Sequence, residues 1–329
     1  MRKTLVSSLR VLVMVIAVVG LLAVSCGDDD EGVTTDSTSS SQADTTSTSP
    51  PTTEAPTTQA PTTEPTTTST VAPDPTTTPA PTTTPDPDLE VIRVYWLRDT
   101  GIAVGGREVP IASPPDSALD ALLAGPNTLE IELGMLSAIP AGTEVLGLTI
   151  EDGVATIDLS SEFETTGMGT TGEIGLVSQV VFTLTQFPTV DSVDITIEGE
   201  VRDAILSHGL GATGLTREGF HDAIAPAIVV ESPYPGQLVT SPLTVTGFSR
   251  TFEATVVYDI VIPPSGLIVA EGFTTAEQPD VDLFGPFEFT VDFATDIAGF
   301  GAVIVFEESA EDGSQINICE VPVMMEPAA

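Results

Sequence analysis

From about Gly32 to Asp88 the chain is built almost wholly of Thr, Pro, Ser, Ala and scattered acids, with repeats such as Pro-Thr-Thr-Glu and Thr-Thr-Thr-Pro. Such a tract cannot bury enough apolar surface to offset its ordering entropy, which predicts a disordered stalk with polyproline II character. At about 3.1 Å per residue its reach would be on the order of 100 Å. The tract therefore confines folding to the sequence after Leu89, which is long enough for two modest hydrophobic cores.

The N-terminus combines basic Arg2, Lys3 and Arg10, an apolar run from Val11 to Val24 and small residues before Cys26. This is the pattern of a cleaved export signal over residues 1–25. The apolar run is shorter than the roughly 20 residues a spanning helix needs, and Asp28 to Glu31 follow it at once. The stretch Leu22-Ala23-Val24-Ser25-Cys26 resembles the bacterial lipobox, in which the cysteine after the cut receives lipid. That resemblance implies a lipoprotein whose membrane partner is reached through acyl groups (palmitate among them) on Cys26, on the extracytoplasmic face of the cell membrane; the alternative is an ordinary signal with a coincidental cysteine. Two or three acyl chains give stable anchoring where one does not.

Loss of the signal leaves six arginines and no lysine against 48 acidic residues, a formal charge of −42. A surface this acidic repels nucleic-acid phosphates and anionic headgroups, so nucleic acid is excluded as a partner. Solubility in a salty exterior is the plainer reading of the charge. With Cys26 lipidated only Cys319 remains, so no disulfide staples the fold.

After the stalk (residues 26–88 with the anchor cysteine), residues 89–200 carry mixed periodicities. Val91 to Leu97 reads as a strand, and Gly105-Gly106 suggests the turn of a short hairpin within Thr100–Pro110. Ser113-Pro114 starts a helix that Gly125-Pro126 stops. Strands at Glu144–Ile150 and Val154–Leu159 are joined by Asp152-Gly153, a helix runs from about Gly172 to Gln186, and Ser192–Ile197 is a last strand. The order is βαββαβ-like, an α+β domain with two helices on one sheet. Residues 201–226 read as a glycine-broken connector. In residues 227–325 seven strands (Ala227–Val230, Leu243–Ser249, Ala254–Ile262, Leu267–Thr274, Phe287–Phe293, Gly301–Glu308, Gln315–Val323) fit an all-β immunoglobulin-like sandwich held by Val, Ile and Phe.

The stretches Leu119-Asp120-Ala121-Leu122-Leu123-Ala124-Gly125-Pro126, Ser137 to Thr143, Asp152 to Ser160 and Thr183-Leu184-Thr185-Gln186-Phe187-Pro188 resemble the GerMN domain of sporulation and germination lipoproteins. Ser232-Pro233-Tyr234-Pro235-Gly236, Ser241 to Gly247, Phe252 to Val256 and Phe306 to Ser314 resemble the immunoglobulin-like domain of bacterial spore germination that often follows it. The resemblance implies parts that assemble or bind in the cell envelope and brings no catalytic residues with it.

No zinc motif, nucleophile elbow, phosphate loop or Ser-Lys base is present, so neither an enzyme nor a cofactor or metal site is expected. His208 and His221 both fall in the connector; Cys319 paired with His221 is the one nucleophile arrangement to weigh, against a buried thiol and a solvated imidazole. Glu307, Glu308, Glu311 and Asp312 form an acidic hairpin without a calcium-loop spacing. Arg93, Arg98 and Arg107 concentrate positive charge in the first hairpin region, as a cationic spot or as internal ion pairs. Alternation puts one of Tyr95 and Trp96 outward, a weak sugar platform. The expected function is a non-catalytic, surface-anchored scaffold or adaptor working through envelope protein contacts; the alternatives are a cell-wall glycan-binding module and, behind it, a hydrolase.

Overall fold

The computed structural model describes residues 88–99, 101–296 and 298–327; the signal segment, Cys26 and the Thr/Pro-rich stalk lie outside them. Strands β1 (Leu89–Arg98) and β2 (Gly101–Pro110) pair antiparallel in unbroken register from Leu89↔Pro110 to Arg98↔Gly101. The hairpin expected within 100–110 is thus a single strand, and Gly105-Gly106 is not its turn. A Cβ on Gly105 would lie 1.9 Å from Glu130 Oε1 and 2.6 Å from Trp96 Nε1, and one on Gly106 would lie 2.2 Å from the Tyr234 ring. Both glycines mark close approach to the backbone, a second use that sequence cannot separate from turning.

Helix α1 (Pro114–Ala124) follows Ser113 and ends at Gly125, whose φ is +85°. Helix α2 (Thr128–Glu132) was not foreseen, although Asn127 and Glu130 have capping-box spacing and exchange both capping bonds, at 2.7 and 3.0 Å. Strands β3 (Val145–Glu151) and β4 (Val154–Leu159) turn at Asp152 and Gly153, both at positive φ. Helix α3 (Thr170–Leu184) then leads to β5 (Ser192–Ile197), parallel to β4, and to β6 (Glu200–Val201). The sheet order is β3-β4-β5-β6, so the α+β domain divides its strands between this sheet and the β1–β2 ribbon.

The ribbon stands apart because α3 occupies the free edge of β1. Gln186 accepts from Arg93 N and donates to Arg93 O, both at 2.7 Å; Thr183 Oγ1 accepts from Tyr95 N at 3.3 Å; and Gln179 Nε2 donates to Tyr95 O at 3.0 Å. Side-chain amides thus stand where a neighbouring strand would, and no backbone group of that edge residue pair is orphaned. Around them pack Trp96, Leu122, Ile157, Leu176 and Ile195, each fully buried. Burial of one such aliphatic side chain contributes about 1.5–3 kcal/mol.

Residues 201–226 are folded against this core. Strands β7 (Ala204–Ile205) and β8 (Leu210–Gly211) form a small hairpin, Ile205 and Ala212 are buried in the core, and Ile195 N donates to Ala212 O at 2.7 Å. Helix α4 (Glu218–Ile224) closes the segment.

The second half is all β: β9 (Ile228–Ser232), β10 (Leu238–Val239), β11 (Leu243–Ser249), β12 (Thr255–Ile262), β13 (Leu267–Thr275), β14 (Gly285–Val291), β15 (Gly299–Glu308) and β16 (Gln315–Met325). The seven expected strands are present, and only the two-residue β10 was unforeseen. Sheets of order β10-β16-β15-β12-β13 and β14-β11-β9 face each other. Val245, Val256, Ile260, Val303 and Val305 fill the core between them, and Tyr258 stacks on Phe289 with ring centroids 3.8 Å apart.

Candidate functional site

The densest polar constellation lies where the two folded halves meet. Tyr95 on β1, Phe182 on α3, Ile224 on α4, Val229 on β9 and Phe248 on β11 form one buried apolar cluster. Arg217, just before α4, passes through it. Its guanidinium lies 5.2 Å from the Tyr95 ring centroid, 4.9 Å from Phe182 and 5.8 Å from Phe248. It donates to Glu231 Oε1 at 2.6 Å, to Phe182 O at 3.1 Å and to Tyr95 Oη at 3.2 Å. Tyr95 Oη donates to Glu231, and Arg93 Nε donates to Glu231 O at 3.3 Å.

Burial drives the Glu231 carboxyl up, but Arg217 and Arg93, with hydrogen bonds from Tyr95 and Arg217, hold it below the usual carboxylate range. Burial and the neighbouring Glu231 charge push the Tyr95 phenol up, against the pull of the arginines. The result is a fixed ion pair with a neutral phenol, which can position two domains and offers no labile proton near neutrality.

Tyr95 and Trp96 are both fully buried, which corrects the expectation that one points outward. Alternation does send them to opposite faces, but Trp96 enters the first core and Tyr95 enters the junction. The junction also accounts for Gly106: the Tyr234 ring, from the Ser232 to Gly236 motif, lies against it, and Gly236 comes close to Leu129 of α2.

His221 and Cys319 are not brought together. His221 packs among Phe182, Phe248 and Phe284 with ring centroids 5.8, 5.1 and 4.7 Å away, so it is not the solvated imidazole expected. Its Nε2 is buried without a hydrogen-bond partner, and burial lowers its pKa. Cys319 is half-buried against the second core, beside a cavity of about 60 Å³ that Arg98, Met135, Val229 and Ile318 also line. Burial pushes its thiol up, away from the nucleophilic thiolate.

His208 serves Glu173. The Glu173 carboxylate accepts from Ser207 N at 3.1 Å, His208 N at 3.0 Å and Ser207 Oγ, and His208 Nδ1 lies 3.0 Å away. Burial raises its pKa, yet these bonds bring it down to about 2. The arrangement ties α3 to the β7–β8 hairpin.

Of the three arginines near the ribbon, Arg107 makes a bidentate pair with buried Glu130, both bonds at 2.7 Å, and Arg93 turns to the junction. Arg98 makes no ion pair among the described residues and lines the cavity. The acidic hairpin also separates: Glu307 is buried and accepts from Phe252 N at 2.9 Å and Asn317 Nδ2 at 2.7 Å, whereas Asp312 shapes the turn through Ser314. Among the described residues no group of three His, Cys, Asp or Glu is placed to hold a metal ion, and no helix is long and apolar enough to cross a membrane.

Sequence reasoning passed over Arg217 and Glu231 because Arg217 meets Tyr95 at a separation of 122 residues. The edge-capping stripe did have a signal: Gln179, Thr183 and Gln186 recur at helical spacing among apolar residues.

Residues 93–203 match the family model described as sporulation and spore germination, and residues 227–314 match that of the immunoglobulin-like domain of bacterial spore germination. No curated protein matches the chain. Among solved structures, the first GerMN domain of the sporulation protein GerM from Bacillus subtilis is 27% identical over 39% of this chain and 98% of its own, with a TM-score of 0.31. The tandem GerMN domains of the same protein are 22% identical over 62% of this chain and 61% of theirs, with a TM-score of 0.32. CopC from Methylosinus trichosporium OB3b is 20% identical over 31% of this chain and 96% of its own, with a TM-score of 0.21.

Proposed function

Because this chain carries a sporulation and spore germination domain followed by an immunoglobulin-like domain of bacterial spore germination, we propose that it is a non-catalytic envelope lipoprotein, anchored through Cys26, that acts as a scaffold or adaptor through protein contacts. The observation that carries the reading is the Arg217 junction. A segment with the composition of a flexible connector is instead locked between two domains by a buried ion pair, three aromatic faces and the Tyr234 contact. Such a body holds two surfaces in fixed relation, which is what an adaptor needs and a tethered pair of independent binders does not.

The side chains with reactive potential support the same reading. His221 is enclosed by rings, His208 is engaged by Glu173, and Cys319 packs against the second core beside a cavity that neither histidine lines. The glycan alternative loses the Tyr95–Trp96 pair on which it drew.

The test is in-cell photo-crosslinking from exposed positions on both domains, with captured material identified by mass spectrometry. The mature chain has no lysine, so amine-directed reagents are unsuitable. Reproducible capture of an envelope protein is expected; capture of glycan alone, or of no protein from any position, overturns the scaffold reading. In parallel, Cys26→Ala is expected to release the protein from the membrane fraction, and retention there overturns the anchor.

A further inference from the structure

The outer face of the five-stranded sheet is apolar and acidic, with Phe306 and Ala302 buried at its centre and its exposed apolar residues on the flanking strand and at the sheet end. Register places Phe273, Val257 and Phe306 in one row across β13, β12 and β15; Glu271, Asp259, Ile304 and Glu320 form the next; and Ile268, Val261, Ala302 and Pro322 the next. Phe273 and Phe300 are each 73% exposed and Ile268 45%. An exposed run of this kind on a folded sheet marks an interaction surface.

Its charge pattern is the more telling feature. Asp259 and Glu271 lie directly opposite each other on adjacent strands, an arrangement of like charges that destabilises a sheet. Gln315 Nε2 donates to Asp259 at 3.4 Å, but among the described residues no cation reaches either acid. Arg107, Arg202, Arg217 and Arg250 are engaged with Glu130, Glu164, Glu231 and Asp222. Residues 26–87 contain neither lysine nor arginine, so the stalk has no cation to offer, nor does the stalk of a second copy.

Resting on the scaffold reading, we propose that this face is a docking site for a protein partner that presents a lysine or arginine ringed by apolar side chains, with the cation seated between Asp259 and Glu271. The apolar rows supply the dry surround in which that charge pair is strengthened. A membrane surface with anionic headgroups would be repelled, and a second copy, carrying the same large net negative charge, would be repelled as a whole.

The test uses the full-length protein in the cells that make it, with a photo-reactive residue at Phe273 and, as controls on the first domain, at exposed Ile131 and Leu146. The expected result is one protein captured at Phe273 through a peptide containing lysine or arginine. Its yield is expected to fall at least about tenfold in Asp259→Lys/Glu271→Lys and to recover when the partner's basic residue is changed to glutamate. Asp259→Asn/Glu271→Gln is read beside it: it removes the repulsion within the sheet, so it is expected to fold at least as well and still to lose capture. Capture of glycan, lipid, a second copy or a peptide without basic residues overturns the proposal, as does a yield unaffected by either variant. Silence at Phe273 with protein capture at the control positions overturns this docking face and leaves the scaffold reading standing; silence at every position removes both.

Discussion

Glu231 at the domain junction and Asp259 on the outer sheet face are both carboxylates drawn partly out of water, and the structure moves them in opposite directions. Burial raises both; at Glu231 the charges of Arg217 and Arg93 then overcome it, whereas at Asp259 the neighbouring Glu271 and Glu308 add to it and only Gln315 opposes. With six arginines after residue 26, the difference lies in where they are placed. Arg107 and Arg217 stand at seams within the molecule, whereas Asp259 and Glu271 have no arginine beside them among the described residues. A buried carboxylate with its cation joins parts, and one without marks a surface whose complement is elsewhere.

The largest test of this contrast breaks the junction. Arg217→Ala leaves Glu231 buried without its main counter-charge and removes a cation from three ring faces, so a loss of about 3–5 kcal/mol is expected. Urea unfolding followed by both circular dichroism and tryptophan fluorescence is the measurement, because Trp96 reports on the first domain alone. The variant is expected to unfold in two transitions where the parent gives one. A single unshifted transition would mean that Arg217 does not hold the halves together.

A smaller cut at the same place is Tyr95→Phe, which keeps the ring under Arg217 and removes the hydroxyl that donates to Glu231 and accepts from Arg217. A loss of about 1.5–3 kcal/mol is expected, with the two halves still unfolding together.

The sequence made the strands of the second domain readable because alternation, turn residues and β-branched composition act locally, and each strand needs no knowledge of its partner. It made α1 readable through Ser113-Pro114 and Gly125-Pro126 for the same reason. What stayed illegible depends on distant approach. Gly105 and Gly106 look like a turn until Glu130, Trp96 and Tyr234 are seen filling the space a side chain would take. Residues 201–226 look like a loose connector because their glycines are visible and the burial of Ile205, Ala212 and Ile224 is not. The junction could not be read at all, since Tyr95, Arg217 and Glu231 become neighbours only when both domains are folded.

Acid sharpens the comparison without mutation. Glu173, with its pKa lowered to about 2, and Glu231, also lowered, contribute stability that is fully present above the unfolded value of about 4.3. That stability is lost as pH falls through the folded values, because the unfolded state takes up protons first. Stability measured by urea unfolding is therefore expected to fall between about pH 4.5 and 2. The slope is expected to be shallower in Glu173→Gln, and an unchanged slope would deny that this carboxylate is held ionised.

Asp259 carries the opposite sign and the smallest effect. Its folded pKa is raised, so its ionised form costs stability at neutral pH, and that cost is relieved as pH falls through the folded value toward the unfolded one. Asp259→Asn preserves the shape, leaves an amide able to meet Gln315, and removes the like-charge opposition to Glu271. A gain of about 0.2–1 kcal/mol at pH 7 is expected, shrinking as the pH is lowered and Asp259 itself becomes neutral. Urea midpoints of parent and variant at pH 7 and pH 4 decide it. A variant that is less stable than the parent at pH 7 would mean that Asp259 already has a favourable partner within the fold, and the distinction between a joined and a waiting carboxylate would fail. A stabilised variant would identify Asp259 as a residue retained against the interest of the fold, and the sheet face as the region where a partner's charge makes that residue favourable.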